Sequence, residues 1–142
     1  MRYFRVPAAA ILVSALTAAA LTASADPMAD NFIGKFKVAT VLDNKYVLAD
    51  PAGLTIYTFE KDEPGKSNCA GACAEQWPPV LAIPADAPFE DFPIIVRADG
   101  ARQWTYKNQP LYRSAKDTAP GQANGNGADD AWYALEIPAH DM

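Results

Sequence analysis

The sequence has few residues of the kinds that usually carry catalytic or metal chemistry. It contains two cysteines and one histidine, His140, which stands beside the C-terminus. A general base must lie within hydrogen-bond reach of its target, and a structural zinc site needs four ligands. No Ser or Cys lies in a Gly-x-Ser-x-Gly sequence either. The composition therefore argues against nucleophilic catalysis and against a complete zinc site.

Clusters of positive charge are also absent. The 12 Lys and Arg residues are outnumbered by 17 Asp and Glu residues, and the formal net charge is −5. Binding to nucleic acids or to anionic membranes depends on grouped Lys and Arg side chains that release counterions. We expect no nucleic-acid partner, whereas a neutral or cationic partner is compatible with this charge.

The N-terminal apolar segment is too short to span a bilayer. Arg2 and Arg5 precede an uncharged stretch at residues 7–21, and a membrane span needs roughly 20 residues. Residues 22–25 (Thr-Ala-Ser-Ala) supply the small side chains that a signal peptidase requires. We predict a signal peptide at residues 1–25 and one periplasmic or secreted domain at residues 26–142, without a membrane span after cleavage. An uncleaved anchor is the alternative.

The two cysteines are close enough in sequence to pair. An exported chain meets an oxidising compartment, where neighbouring thiols form disulfides. If residues 71–75 form a helical turn, the Cα atoms of Cys69 and Cys73 lie about 6.2 Å apart. A disulfide tolerates about 4.4–6.8 Å. We predict a structural Cys69–Cys73 disulfide beside a short helical turn, with a redox-active disulfide as the alternative.

An internal repeat organises the chain. Three pairs of residues share a spacing of 55: Tyr57 and Tyr112, Asp62 and Asp117, and Trp77 and Trp132. A Pro-Gly dipeptide follows each Asp, and an Ile-Pro dipeptide follows each Trp. These coincidences indicate a duplication. Repeat one covers about residues 37–84 and repeat two about residues 94–138.

Both repeats have the composition of β structure. Alternating apolar residues between turn signals predict strands at residues 37–42, 45–49, 54–60, 94–97, 102–106, 111–113 and 132–137. Turns are predicted at residues 50–53, 99–100 and 108–109, and residues 86–93 form a Pro-rich connector. Because one repeat is too small to bury its own face, we predict a compact, mostly β, antiparallel domain. Its two repeats share a core and are related by a pseudo-twofold axis.

Residues 57–62 (Tyr-Thr-Phe-Glu-Lys-Asp) match a Tyr-x-(Phe/Trp/Tyr)-x-x-Asp motif. With this motif, and with residues 69–79 and 99–112, the chain resembles a family of bacterial predicted lipoproteins, also called secreted repeat proteins of unknown function. The resemblance implies export and a repeated β-domain, and it implies no reaction. Two features depart from the family pattern. The lipid-anchored cysteine of many relatives is absent, and Ser114 stands where repeat one has Phe59.

The paired Asp and Tyr residues have two interpretations. Asp62 and Asp117 either face each other across the pseudo-twofold axis, for acid–base chemistry or cation binding, or cap turns after their strands. Tyr57 and Tyr112 are expected to pack in the core with their hydroxyls at its edge. There, one hydroxyl could reach the Asp of its own repeat.

Trp77 and Trp132 are either core anchors or the aromatic wall of a ligand groove. At the C-terminus, His140, Asp141 and Met142 could bind copper weakly together with Met28. We expect no cofactor.

The favoured hypothesis is an exported, non-enzymatic module of the periplasm or envelope. It would bind an envelope protein, a glycan or a small molecule through loops at residues 63–76 and 118–130, because loops on a rigid scaffold commonly carry function. The alternatives are an enzyme or cation site that uses Asp62 and Asp117, a weak copper-binding protein, and a protein with a redox-active disulfide.

Overall fold

A computed structural model describes residues 31–142, so the predicted signal peptide and Met28 lie outside the described residues. The strands and the helix are β1 (Asn31–Ile33), β2 (Phe36–Val41), β3 (Lys45–Ala49), β4 (Tyr57–Phe59), α1 (Ala72–Gln76), β5 (Ile94–Val96), β6 (Arg102–Tyr106), β7 (Gln109–Pro110) and β8 (Trp132–Ala134). They form three antiparallel sheets, ordered β1-β2-β3, β4-β8 and β5-β6-β7. The predicted mostly β fold with one short helix near the cysteines is confirmed.

The turn after β6 lies one residue earlier than predicted. Lys107 and Asn108 both have left-handed backbone, with φ of 48° and 67°. A two-residue type I′ hairpin requires this conformation at both central positions. Gln109, which was predicted to lie in the turn, instead begins β7 and pairs with Tyr106.

The two repeats are interlocked. Strand β4 of repeat one pairs with β8 at the end of repeat two, and the Glu60 amide donates to the carbonyl of Ala131 at 2.8 Å. The equivalent pairing joins repeat two to the end of repeat one, where the Ala115 amide donates to the carbonyl of Gln76 at 2.9 Å. There, Pro78 and Pro79 have no N–H to donate, so this second contact is an isolated bridge rather than a ladder.

Both repeats contribute to each of two buried clusters. The first contains Phe36, Leu48 and Ile56 from repeat one and Trp104, Leu111 and Leu135 from repeat two. The second contains Val47, Tyr57, Cys69 and Trp77 from repeat one and Tyr112, Trp132 and Ala134 from repeat two. The two repeats therefore share the apolar core that stabilises the fold.

The connector between the repeats is part of the core. Phe92 is 1% exposed and stacks on Phe36 with ring centroids 5.0 Å apart, and Phe89 packs against both rings. Asp86 accepts a hydrogen bond from Lys35 Nζ at 2.8 Å. The sequence predicted a Pro-rich connector here, and its two phenylalanines pack it against Phe36 of β2.

Candidate functional site

The two repeat tyrosines meet at the pseudo-twofold axis. The Tyr57 amide donates to the carbonyl of Tyr112 at 2.8 Å, and the Tyr112 amide donates back to the carbonyl of Tyr57 at 2.9 Å. Both residues are completely buried. The other contacts between equivalent residues of the two repeats lie symmetrically on either side of this reciprocal pair.

Each tyrosine hydroxyl crosses to the other repeat. Tyr57 Oη donates to Asp117 Oδ2 at 2.5 Å, and Tyr112 Oη donates to Asp62 Oδ2 at 2.6 Å. The expectation that a tyrosine would reach the Asp of its own repeat is wrong. The reason is the antiparallel pairing at the axis, which places each tyrosine beside the loop that follows the other repeat's strand.

The second oxygen of each carboxylate holds a loop. Asp62 Oδ1 accepts from the backbone amide of Asn68 at 2.6 Å, and Asp117 Oδ1 accepts from the backbone amide of Asn124 at 2.9 Å. The asparagine side chains donate to backbone carbonyls beside the two aspartates, at 2.8 and 3.1 Å. The two Asp residues therefore make the turn-capping contacts of the second interpretation.

Electrostatics keep the tyrosines neutral. Burial, followed by the hydrogen bond to a carboxylate, raises the pKa of Tyr57 and of Tyr112 far above the usual value of 10. Burial also raises the pKa of Asp62, and hydrogen bonds from Tyr112 and the amide of Asn68 oppose this effect. At neutral pH the tyrosine hydroxyls remain protonated hydrogen-bond donors. This favours a structural role, in which they link the two repeats, over a role as nucleophile or base.

The two repeat tryptophans stack on each other. The Trp77 and Trp132 rings are parallel, with centroids 4.0 Å apart and an interplanar angle of 1°, and they are 6% and 3% exposed. Phe59 stacks on the outer side of Trp132 at 4.1 Å. On the Trp77 side, Ser114 replaces this phenylalanine, and Gly125 lies so close that a Cβ would be 2.6 Å from the indole.

Two clefts flank this tryptophan pair, and both are lined by Gln76, Trp77 and Asp129. The smaller, of about 280 Å³, also contacts Phe59 and Lys61. The larger, of about 610 Å³, also contacts Ser114, Ala115, Lys116 and Ala128. Phe59 and Ser114 are repeat-equivalent positions, so the cleft is larger on the side where serine replaces the ring. We call the two clefts together the inter-loop groove.

Comparison with known proteins identifies the repeat. Residues 41–81 and 93–136 match a family described as a secreted repeat of unknown function. The chain belongs to this secreted repeat family. The two matched segments confirm the two-repeat organisation predicted from the spacing of Tyr, Asp and Trp. No curated protein and no solved structure matches the chain.

The predicted disulfide is present in this secreted repeat protein. Cys69 and Cys73 are bonded with their Cα atoms 5.3 Å apart. Only Cys73 lies in α1, which begins at Ala72, so the spacing is shorter than that of two residues on one helix. Family membership together with the disulfide indicates an exported protein. In residues 31–142, no helix is long and apolar enough to cross a bilayer.

The predicted copper ligands are not brought together with other donors in the part of the chain that is described. His140 Nε2 lies 3.3 Å from Asp141 Oδ1 in a C-terminal 3₁₀ turn. Residues 31–142 contain no group of three or more His, Cys, Asp and Glu side chains arranged to hold a metal.

Sequence reasoning missed several polar residues of this site. Asn68 and Asn124 follow their aspartates by six and seven residues, so a longer comparison of the repeats would have found them. The buried Arg97 and Gln103 form a hydrogen-bonded group with the partly buried Ser67 beside Tyr112, and Ser67 Oγ lies 2.6 Å from Tyr112 Oη. No repeat signal identifies Arg97 or Gln103, because repeat one has Val41 and Val47 at the equivalent positions.

Proposed function

We propose that this protein is an exported, non-enzymatic binding module whose ligand occupies the inter-loop groove. The observation that supports this proposal is the position of the groove where the two repeat loops meet over the Trp77–Trp132 pair. Loops supported by rigid elements are the usual location of binding sites. The volume of the larger cleft, about 610 Å³, lies in the range typical of small-molecule sites.

The use of the two aspartates in the fold also supports a non-enzymatic role. Asp62 and Asp117 each accept one tyrosine hydroxyl and one backbone amide. A general acid or base must exchange its proton with a substrate. Here, both oxygens of each carboxylate already hold the repeats and their loops together.

The chemistry of the groove favours a polar, uncharged or zwitterionic ligand. Lys116 and Asp129 place opposite charges at its rim, and Gln76 adds an amide that can donate and accept. The Trp77 indole contributes an apolar surface at the base. The hydrogen-bonding groups of the groove fit an amide of an envelope protein, a sugar of an envelope glycan, or a small polar molecule.

A photo-cross-linking amino acid introduced at Lys116 tests this proposal in exporting cells. We expect an adduct from position 116 and none from Lys107, whose side chain is exposed outside the groove. Ala115→Trp, which fills the larger cleft, should abolish the adduct. Ala119→Trp on the same loop should not. Native mass spectrometry of the exported protein detects a small ligand as a retained additional mass.

Labelling at Lys107 equal to that at Lys116, or an adduct that survives Ala115→Trp, would contradict the groove as the binding site. The absence of both an adduct and a retained mass would contradict the binding role itself.

A further inference from the structure

Arg97 is a buried cation that makes hydrogen bonds to neutral groups. It follows β5, and its side chain is 5% exposed. Nη1 donates to Ser67 Oγ at 2.9 Å and to Gln103 Oε1 at 2.8 Å, and Nη2 donates to the carbonyl of Cys69 at 2.6 Å. All three acceptors are uncharged, and Asp62 interacts with Arg97 through space without a direct hydrogen bond.

A buried guanidinium is normally hydrogen-bonded to a carboxylate, because desolvating an unpaired charge is costly. Within residues 31–142, the acidic group within 4 Å of Arg97 is Asp99, whose Oδ1 lies 3.9 Å from Nε and whose side chain is 67% exposed. This distance exceeds that of a hydrogen bond. Arg97 Nε is buried and has no hydrogen-bond partner among the described residues.

The fold does not require a cation at this position. In repeat one, the strand pairing places Val41 and Val47 where repeat two has Arg97 and Gln103. Two apolar side chains therefore occupy the equivalent positions in repeat one. The geometry of the repeat does not explain why repeat two has a polar pair there.

A pocket of about 370 Å³ lies against this arginine. It is lined by Ser67, Ala70, Gly71, Ala74, Arg97, Ala98 and Asp99. Most of these side chains are very small, which leaves space beside the guanidinium. The pocket shares no lining residue with the inter-loop groove, so its role is independent of the function proposed for that groove.

We propose that this pocket binds the carboxylate group of a small acid or of a chain end, and that Arg97 is its cationic partner. Arg–carboxylate hydrogen bonds are short and about twice as strong as neutral ones. The incoming carboxylate displaces the exposed Asp99 side chain and accepts from the buried Nε, which Asp99 Oδ1 approaches only to 3.9 Å. The alanines and Gly71 admit a short aliphatic group behind it.

Titration of the ¹⁵N-labelled protein with acetate and with N-acetylglycine tests this site, with N-acetylglycinamide as the neutral control and ionic strength held constant with chloride. We expect saturable shifts of the amides of Ala70, Gly71 and Ala98 with both acids and none with the neutral amide. Equal affinity for both acids would support a free small acid. Tighter binding of N-acetylglycine would support a chain-end carboxylate.

Four variants separate the charge from the pocket. Arg97→Met should abolish the shifts, whereas Arg102→Met should retain them, because Arg102 donates to the carbonyls of Ile83 and Asp86 outside the pocket. Ala98→Leu fills the pocket without removing any hydrogen bond of Arg97, and it should weaken binding at least tenfold. Asp99→Asn removes the competing carboxylate and should tighten binding about threefold.

The proposal is overturned if neither acid gives saturable shifts, or if binding is unchanged in Ala98→Leu. Weaker binding in Asp99→Asn would also overturn it, because Asp99 would then not compete with the ligand. If Arg97→Met does not fold, the Ala98 and Asp99 variants still decide the outcome.

Discussion

At the scale of single residues, the most informative feature is the difference between two aspartates that make the same contacts. Asp117 is 7% exposed, whereas Asp62 is only partly buried. Each accepts one tyrosine hydroxyl and one backbone amide. The energetic value of equivalent hydrogen bonds therefore differs with burial, because water can replace a lost donor at Asp62 more easily than at Asp117.

We expect Tyr57→Phe to destabilise the protein by about 2–3 kcal/mol and Tyr112→Phe by about 1 kcal/mol. The first substitution leaves a buried oxygen of Asp117 without its donor, while the second leaves Asp62 accessible to water. Urea unfolding measures both. Tyr133→Phe is the control, because Tyr133 is 37% exposed, and it should change stability by less than about 0.5 kcal/mol. Equal losses at Tyr57 and Tyr112 would contradict the burial argument.

Two aspartates should give opposite pH dependences. Burial raises the pKa of Asp62 above 3.8, so the folded state binds more protons than the unfolded state, and this contribution to stability decreases as pH rises above 3.8. The hydrogen bond from Lys35 lowers the pKa of Asp86, so its contribution is present above pH 3.8 and is lost as pH falls through the folded pKa.

Unfolding free energies of Asp62→Asn and Asp86→Asn, each relative to wild type, test these signs between pH 2.5 and about 6. The relative stability of Asp62→Asn should rise with pH, and that of Asp86→Asn should fall. A shared sign for the two variants would contradict the assigned environments.

The repeat pattern identified the tyrosines, aspartates and tryptophans, but not their partners. Equal spacing shows that Tyr57 and Tyr112 are equivalent, and it contains no information on whether each contacts its own repeat. That choice depends on the backbone pairing at the axis, which is a tertiary contact. Arg97 could not be found in this way, since a residue present in one repeat leaves no periodic signal.

At the scale of elements, the turn before β8 contains local strain. Ala131 donates to the carbonyl of Ala128 at 3.1 Å, and the two residues between them, Asp129 and Asp130, have φ of 52° and 51°. A type I′ turn with these angles favours Asn-Gly. Aspartate adopts the left-handed region more readily than most residues but less readily than glycine, and Asp129 lines the inter-loop groove.

Asp130→Gly should therefore stabilise the protein by about 0.5–1 kcal/mol, because glycine adopts this backbone without steric cost. The reverse control is Gly127→Ala. Its φ is 79° and a Cβ would meet nothing within 4 Å, so only the backbone conformation changes in energy. We expect it to lose about 1 kcal/mol in thermal unfolding. A destabilised Asp130→Gly would show that the Asp130 side chain has a role other than in the turn.

Strand positions were predictable where alternation and turn chemistry agreed. The bounds of β3 and β6 match the predicted residues 45–49 and 102–106. The predicted strand at residues 54–60 is reduced to β4, because Leu54 and Ile56 pair with the end of β3 only at the isolated Ala49–Thr55 bridge, through hydrogen bonds with Asp50 and Leu48. Such bonds depend on a neighbouring segment and not on the strand's own composition.

At the scale of the whole molecule, duplication was visible in the sequence but interlocking was not. The spacing of 55 residues predicts two equivalent units that share a core, and both buried clusters contain residues of both repeats. The interlocking is a separate property, in which the end of each repeat pairs with the other repeat. It arises because β4 pairs antiparallel with β8 and not with the end of its own repeat.

Interlocking predicts that neither repeat folds alone and that the two fold together. A cleavage between Ala87 and Pro88, both exposed, gives fragments 31–87 and 88–142. Each fragment alone lacks the segment that pairs with its repeat tyrosine, Tyr57 or Tyr112, and much of each buried cluster. Amide proton NMR of either fragment should therefore show an unfolded chain. An equimolar mixture should form a 1:1 complex with dispersed signals and cooperative unfolding.

The Tyr57→Phe substitution in the first fragment should weaken this complex, because it removes the buried hydrogen bond to Asp117 that joins the two fragments. Tyr133→Phe in the second fragment is the control and should leave the affinity unchanged. Cooperative unfolding of either fragment alone would show that one repeat has an independent core. In that case the exchanged strands would be a contact between two folded units rather than the condition for folding.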